Sequence, residues 1–194
     1  TDLGEVVPPL PREHRLPDRE ADGEGIGTRT FETKPDALLR RMGEIGLFGV
    51  TLPTTYGGLG FTLREYLCLV GQMVRLDLAM AMVCLAHLSI GIKAILLFGS
   101  EAQKSRYLPA AARGEMIFAF ALTEPLIGSD AQHIQTEAEL SSDGSHYILN
   151  GQKTYITNAN YAHGLTVFAQ LDRQRLGFMG AFIVEAGWEG VRIG

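Results

Sequence analysis

Hydroxyl-bearing and glycine residues gather at two apolar segment ends in this chain. The first stretch, FALTEPLIGSDA, sets Thr123, Glu124 and Pro125 behind an apolar strand and then turns through Gly128, Ser129 and Asp130. The second, YILNGQKTYITNA, sets a tight Asn150-Gly151 turn before an alternating segment that ends at Thr157. A threonine hydroxyl can donate or accept a hydrogen bond. Glycine lets backbone come close to a ligand, and the next amide can point at phosphate oxygens. Tyr155 and Thr157 are two apart, so on a strand both face one side. Together these groups suit a flat, phosphorylated cofactor. On the residues alone, plainer accounts stand beside that one: an ST turn at Thr123, an ordinary glycine-serine turn, and an exposed tyrosine-threonine pair.

The remaining chemistry-bearing residues read more blandly. Glu124 is the one obvious carboxylate beside the first loop and invites assignment as a base. His87 lies mid-helix in LAHLSIG and reads as packed or partly solvated. His133, His146 and His163 fall near loops, where solvated polar residues are usual. Cys68 and Cys84 sit in apolar helical stretches and read as buried, reduced thiols. Neither has CxxC or metal-ligand spacing, so no metal site is assigned.

Elements must hold these residues in place. Residues 1–30 carry four prolines and four glycines without a sustained period and read as an irregular lead-in. Helical spacing runs from Lys34 to Phe48, from about Thr62 to Arg75, and from an N-cap at Asp77 to Phe98. Gly99 is read as the C′ residue that ends the third helix. Ser100 and Gln103 form a capping box that opens a fourth helix, closed by Gly114. After Met116 the period shortens to that of strands: Ile117 to Leu122, Ile134 to Leu140, His146 to Leu149, Lys153 to Thr157, Leu165 to Leu171 and Phe178 to Val184. This is the α+β order, with a helical domain over residues 31–115 and a partial β-domain over 116–194, expected to be antiparallel and barrel-like.

Composition narrows the function. Hydrophobic residues make up 46% of 194, enough for a sizeable core. A net charge of −5 disfavours a nucleic-acid partner, because phosphate contacts require clustered Lys and Arg. The apolar run between Asp77 and Lys93 is shorter than the roughly 20 residues of a membrane span, and no secretory leader is read at the N-terminus.

TEPLIGSDA and YITNA, with GEIGLFGVTLPTTYGGLGF upstream and LTVFAQ downstream, resemble the acyl-CoA dehydrogenase family of flavoproteins over most of the chain. AHLSIGIKAILLFGSEAQKSRYLP and HYILNGQKTYITN look most like its very-long-chain branch. The resemblance implies FAD as cofactor, with Phe120, Leu122 and Thr123 lining the flavin ring. Gly128 and Ser129 match the family's turn at the pyrophosphate, with Ser129 also near the entering thioester. Tyr155 stands where the family usually has tryptophan, and the Thr157 hydroxyl corresponds to the group that bonds flavin N5. Glu124 becomes a structural glutamate tied to a nearby cation. Ala81 and Leu85 match the helix that floors the acyl pocket, which very-long-chain relatives open with glycines.

The reaction so implied is α,β-dehydrogenation of fatty acyl-CoA thioesters in β-oxidation, with an electron-transferring flavoprotein as acceptor and a homo-oligomer, dimer or tetramer, as the working form. The implied compartment is cytoplasmic for a bacterial source and the mitochondrial matrix for a eukaryotic one. The family's catalytic glutamate lies on a helical bundle after the β-domain. No residue here matches it, so no catalytic residue is assigned and the base is expected beyond Gly194. The 194 residues alone are therefore expected to be inactive. Alternatives within the fold are an acyl-CoA oxidase or a flavin-dependent monooxygenase; outside catalysis, an acyl-CoA-binding scaffold that lacks the base.

Overall fold

The computed structural model describes residues 36–194, so the lead-in over residues 1–30 lies outside the described part. Among these described residues five α-helices come first: α1 (Asp36–Glu44), α2 (Leu63–Leu76), α3 (Leu78–Leu85), α4 (Lys93–Phe98) and α5 (Glu101–Ala112). The starts of three are set by side-chain caps that replace the missing intrahelical partners. Thr62 and Glu65 form a capping box on α2. The Asp77 carboxylate accepts from Met80 N at 2.9 Å on α3. Ser100 and Gln103 form the expected box on α5. Gly99 differs from its expected role. Its φ of −65° and ψ of 150° are extended, not left-handed. Glycine is needed there because a Cβ would lie 2.6 Å from the Ile95 carbonyl oxygen.

The long third helix is three pieces in one. Between α3 and α4 the backbone widens into a π-helical turn, Ala86–Gly91. The whole stretch Leu78–Phe98 has 21 residues and is long and apolar enough, by length and composition, to cross a membrane. The apolar run weighed as a span ends at Lys93, whereas the helix continues to Phe98 as its spacing predicts, and the longer stretch passes that test. In this fold it is a core helix: Ala81, Cys84, Ala86, Leu88, Ile92 and Ile95 are all buried. Cys84 is a buried thiol, its pKa pushed up to about 12 by desolvation. Cys68 departs from expectation and lies exposed on α2.

Five strands follow: β1 (Phe118–Ala121), β2 (Glu137–Leu140), β3 (Tyr147–Asn150), β4 (Gly164–Gln170) and β5 (Met179–Glu185). They form one mixed sheet in the expected α+β order, with parallel pairs where purely antiparallel pairing was expected. β4 pairs antiparallel with β5 along its whole length. It also takes β1 in parallel over Gly164–Val167 and β2 in parallel at Gln170. Among the described strands, only the β2–β3 hairpin and the β4–β5 pair are antiparallel. Alternation tells which face a residue takes, but it carries no information on strand direction. Lys153 to Thr157 is not a strand. Tyr155 (φ 55°) and Asn158 (φ 74°) are left-handed there, which ends any extended run. Nor is Asn150-Gly151 a hairpin tip: Asn150 ends β3, and Gly151 passes so near Thr136 that a Cβ would meet its Oγ1 at 2.3 Å.

Helices and sheet are joined across the π turn. A core of Val50, Leu52, Tyr66, Leu88, Ile92, Ile95, Tyr107, Leu108 and Phe118 spans both layers. Phe118 has no exposed surface, and burying such a ring contributes about 1.5–3 kcal/mol. β1 runs so close to the π turn that a Cβ on Gly91 would sit 2.8 Å from the Phe118 carbonyl oxygen. His87 Nδ1 accepts from Phe118 N at 3.0 Å, and Thr166 Oγ1 donates to the Gly91 carbonyl at 2.6 Å. At the far end, Arg106 and Tyr107 of α5 both donate to Glu185 of β5.

Candidate functional site

β1 delivers the chain to the first hydroxyl cluster. Phe120 is half-buried against Phe168 of β4, with ring centroids 5.0 Å apart. Leu122 and Thr123 follow, half-buried, and Glu124 turns inward with 5% exposure. A tight turn then closes, Glu124 N to Ile127 O at 2.9 Å and Ile127 N to Glu124 O at 3.1 Å. Gly128 and Ser129 emerge exposed beyond it, and a Cβ built on Gly128 would meet nothing within 4 Å.

The second cluster is laid beside the first by one lysine. Lys153 Nζ donates to Glu124 Oε1 at 2.7 Å and to the Leu122 carbonyl at 3.1 Å. Thr154 N donates to the Thr123 carbonyl at 2.9 Å. Glu124 also accepts from Gln135 N, Thr136 N and Thr136 Oγ1 at 2.5, 2.8 and 2.5 Å. Burial alone would push this carboxyl up; the bonds from Lys153, Thr136 and Gln135 outweigh it and hold it below the usual range. Burial lowers the Lys153 ammonium despite its partner. Glu124 is thus an ion-paired structural group, its four donors already filling the carboxylate, and not a free base.

Beyond Lys153 the loop opens outward. Tyr155 is 91% exposed in a left-handed backbone, a costly arrangement for an aromatic residue. Thr157 is also exposed. The two are not strand neighbours; they lie on an irregular loop bracketed by Lys153 and Asn158. Exposed hydroxyls, an open glycine turn and an outward aromatic ring leave room for a flat, phosphorylated group, so these residues fit a flavin nucleotide.

The helix residues fare differently. Ala81 packs among Leu39, Met42, Phe48 and Met73. It therefore presents no exposed surface among the described residues. Leu85 is half-buried against the other core cluster. His87 is fully buried and its pKa held down at about 4, by desolvation first, with the Ala111 and Phe48 carbonyls offsetting part of it. His133 and His163 are exposed and His146 half-buried. Gly194, the residue beyond which the base is expected, is exposed and follows β5 outside any strand or helix.

Sequence reasoning missed Lys153, Thr136 and Asn158. Asn158 is 4% exposed and donates from Nδ2 to the carbonyls of Val83 and Phe118. Asparagine tolerates the left-handed region better than other non-glycine residues, and that was the one local signal available. A cavity of about 380 Å³ opens beside the turn, lined by Gln132, His133, Gln135, Gln170 and Arg173 among others.

The acyl-CoA dehydrogenase N-terminal domain matches residues 19–115, and the middle domain of the same family matches residues 119–194. The very long-chain specific acyl-CoA dehydrogenase of Macaca fascicularis is 41% identical over 174 residues, covering 85% of this chain and 26% of that protein. Among solved structures, an acyl-CoA dehydrogenase complexed with FAD from Bacillus anthracis superposes with a TM-score of 0.72 at 42% identity, over 78% of this chain and 25% of that one. Butyryl-CoA dehydrogenase from Megasphaera elsdenii superposes at 0.74 with 35% identity, over 78% and 40%. This chain spans about a quarter of the length of the first of these relatives. Two adjacent domain matches, in the order helices then sheet, place the chain in the acyl-CoA dehydrogenase family.

Proposed function

We propose that this chain forms the flavin-facing part of an FAD-dependent acyl-CoA dehydrogenase acting on fatty acyl thioesters. The observation that carries the reading is the joining of TEPLIGSD to the segment leading into YITN, Lys153 bonding Glu124 and Thr154 bonding Thr123. Phe120, Leu122 and Thr123 would line the flavin ring, Gly128 and Ser129 would hold the pyrophosphate, and Tyr155 and Thr157 would close over the ring. FAD, when bound, supplies a hydride acceptor for the substrate β-hydrogen. The chain's own part is to present donors where charge develops and to keep those donors fixed, so that little reorganisation is needed during reaction. The α-proton would go to a glutamate beyond Gly194, on the helical bundle that the resemblance places after the β-domain. An electron-transferring flavoprotein as acceptor and a homo-oligomeric enzyme go with this reading.

Full-length protein should carry flavin absorbance, or gain it on reconstitution with FAD; a colourless protein after reconstitution rules the reading out. Thr157→Val keeps shape and removes one donor. Flavin reduction in rapid mixing should slow about 30-fold, equivalent to about 2 kcal/mol, with little change in substrate binding. An unchanged rate takes Thr157 out of the site. An oxidase or monooxygenase would instead show fast reoxidation of reduced flavin by air without an electron-transferring flavoprotein.

The acyl chain length is proposed from Leu85, the half-buried member of the helix pair. A bulky residue where very-long-chain relatives have glycine points to medium or long chains over the longest. Leu85→Gly should move the kcat/KM optimum towards longer acyl-CoAs, at a helix cost of roughly 1 kcal/mol. An unchanged optimum in a folded, flavin-loaded variant makes Leu85 a core residue only.

A further inference from the structure

We propose that Asn158 is a positioning residue for the Thr157 hydroxyl, anchoring the cofactor-facing loop to the helix that carries the π turn. The inference rests on the Thr157 reading above. Thr157 itself is exposed, and no regular strand holds it. The residue directly after it is the most firmly held in the loop. Asn158 Nδ2 reaches Val83 O at 3.0 Å and Phe118 O at 3.4 Å, so one amide contacts α3 and β1 together. Its Oδ1 accepts from Tyr161 OH at 2.7 Å, which fixes the orientation of the amide. Its carbonyl accepts from Tyr161 N and Ala162 N at 3.1 and 2.8 Å. Both ends of a single side chain and its backbone are used.

The helix supplies the matching acceptor where its own hydrogen-bond ladder changes. The Ala86 N–H is shared between the Met82 and Val83 carbonyls, and the π pitch begins at once, with Ile92 N bonding His87 O. Such turns loosen the ladder and expose acceptors to outside donors. Three separate groups use this one segment: Asn158 at Val83, the Phe118 amide at His87, and Thr166 at Gly91. The left-handed backbone at Tyr155 and Asn158 then brackets Thr157, so the angle of its hydroxyl is set by Asn158 and not by local strand geometry.

Asn158→Asp tests this in the full-length, FAD-loaded enzyme. It keeps the size, the left-handed tolerance and the acceptor for Tyr161, and loses the donor to Val83 and Phe118. Flavin reduction at saturating substrate should fall about tenfold with KM unchanged, since small misplacement of a reacting group costs up to about 100-fold. The visible band of bound FAD should shift in the same direction as in Thr157→Val. The double variant should be no slower than Thr157→Val alone, because one residue acts through the other. An unchanged rate and spectrum, or losses that multiply in the double variant, overturn the proposal. Where Asn158→Asp does not fold, Tyr161→Phe releases the amide and is read by the same spectrum and the same cycle. If Asn158→Asp slows reduction and Thr157→Val does not, the Thr157 reading fails and this proposal with it. If Thr157→Val slows reduction and Asn158→Asp does not, this proposal fails alone.

Discussion

Replacing Lys153 with methionine should lower the stability of the full-length protein by about 3 kcal/mol, the low end for uncovering a buried charge. The pair is well hidden: the Lys153 and Glu124 side chains are 11% and 4% exposed. Methionine keeps the stem and removes the ammonium. Glu124 is then left with Gln135 and Thr136 as donors, which is why the low end applies. The midpoint of urea unfolding measures the loss; a change below about 1 kcal/mol would show that the amides carry the carboxylate unaided. A second readout is pH. The depressed Glu124 carboxyl contributes stability above its ordinary value of 4.5, and that contribution fades as pH falls through its lowered value. Without Lys153 the folded value should lie nearer the ordinary 4.5, so the contribution should be smaller and exhausted at a higher pH. Because Lys153 also holds the Leu122 carbonyl, flavin retention should weaken in the same variant.

Acid should weaken the fold earlier still, through His87. Its Nδ1 accepts from Phe118 N, so the proton of the neutral ring is on Nε2, which faces the Ala111 and Phe48 carbonyls but makes no well-aligned hydrogen bond among the described residues. Protonation would force Nδ1 to give up that bond inside a site walled by Phe48 and Phe118. The folded value of about 4 lies below the ordinary 6.5. The unfolded chain therefore binds the proton first. Stability is complete above pH 6.5 and falls by about 3 kcal/mol from this group as pH drops towards 4. His87→Asn keeps an acceptor for Phe118 and cannot titrate. It should be less stable at neutral pH and show a flatter profile between those limits. Unfolding midpoints taken from pH 7.5 down to about 4 decide this, with equal slopes in both proteins assigning the acid sensitivity elsewhere.

Much of the helical half could be read from residues close together in the chain. Asp77 with Met80, and Ser100 with Gln103, are contacts three residues apart, and local spacing specifies them before any tertiary structure exists. Five of the six expected strands form near their expected places, because apolar alternation survives in the chain whatever its partners. The family was legible for the same reason: TEPLIGSD and YITN are short and contiguous.

Tertiary structure decided the rest. Lys153 to Thr157 alternates like a strand, yet the Thr154 amide and Lys153 ammonium answer to the Thr123 and Leu122 carbonyls, and the backbone turns left-handed at Tyr155 and again at Asn158. The direction of β1 against β4 depends on how some forty intervening residues return, which no period records. Ala81 looked available and is enclosed, since which face of a helix is covered depends on what packs there. His87 and Asn158 reach Phe118 across gaps of 31 and 40 residues. The chain alone determined most of the elements, the caps at Asp77 and Ser100, and the family motif, because those depend on neighbours within a few residues. Which polar groups are buried, paired or left facing outward was settled only when distant carbonyls and donors were brought together, since a buried polar group must find its partner wherever the fold supplies one.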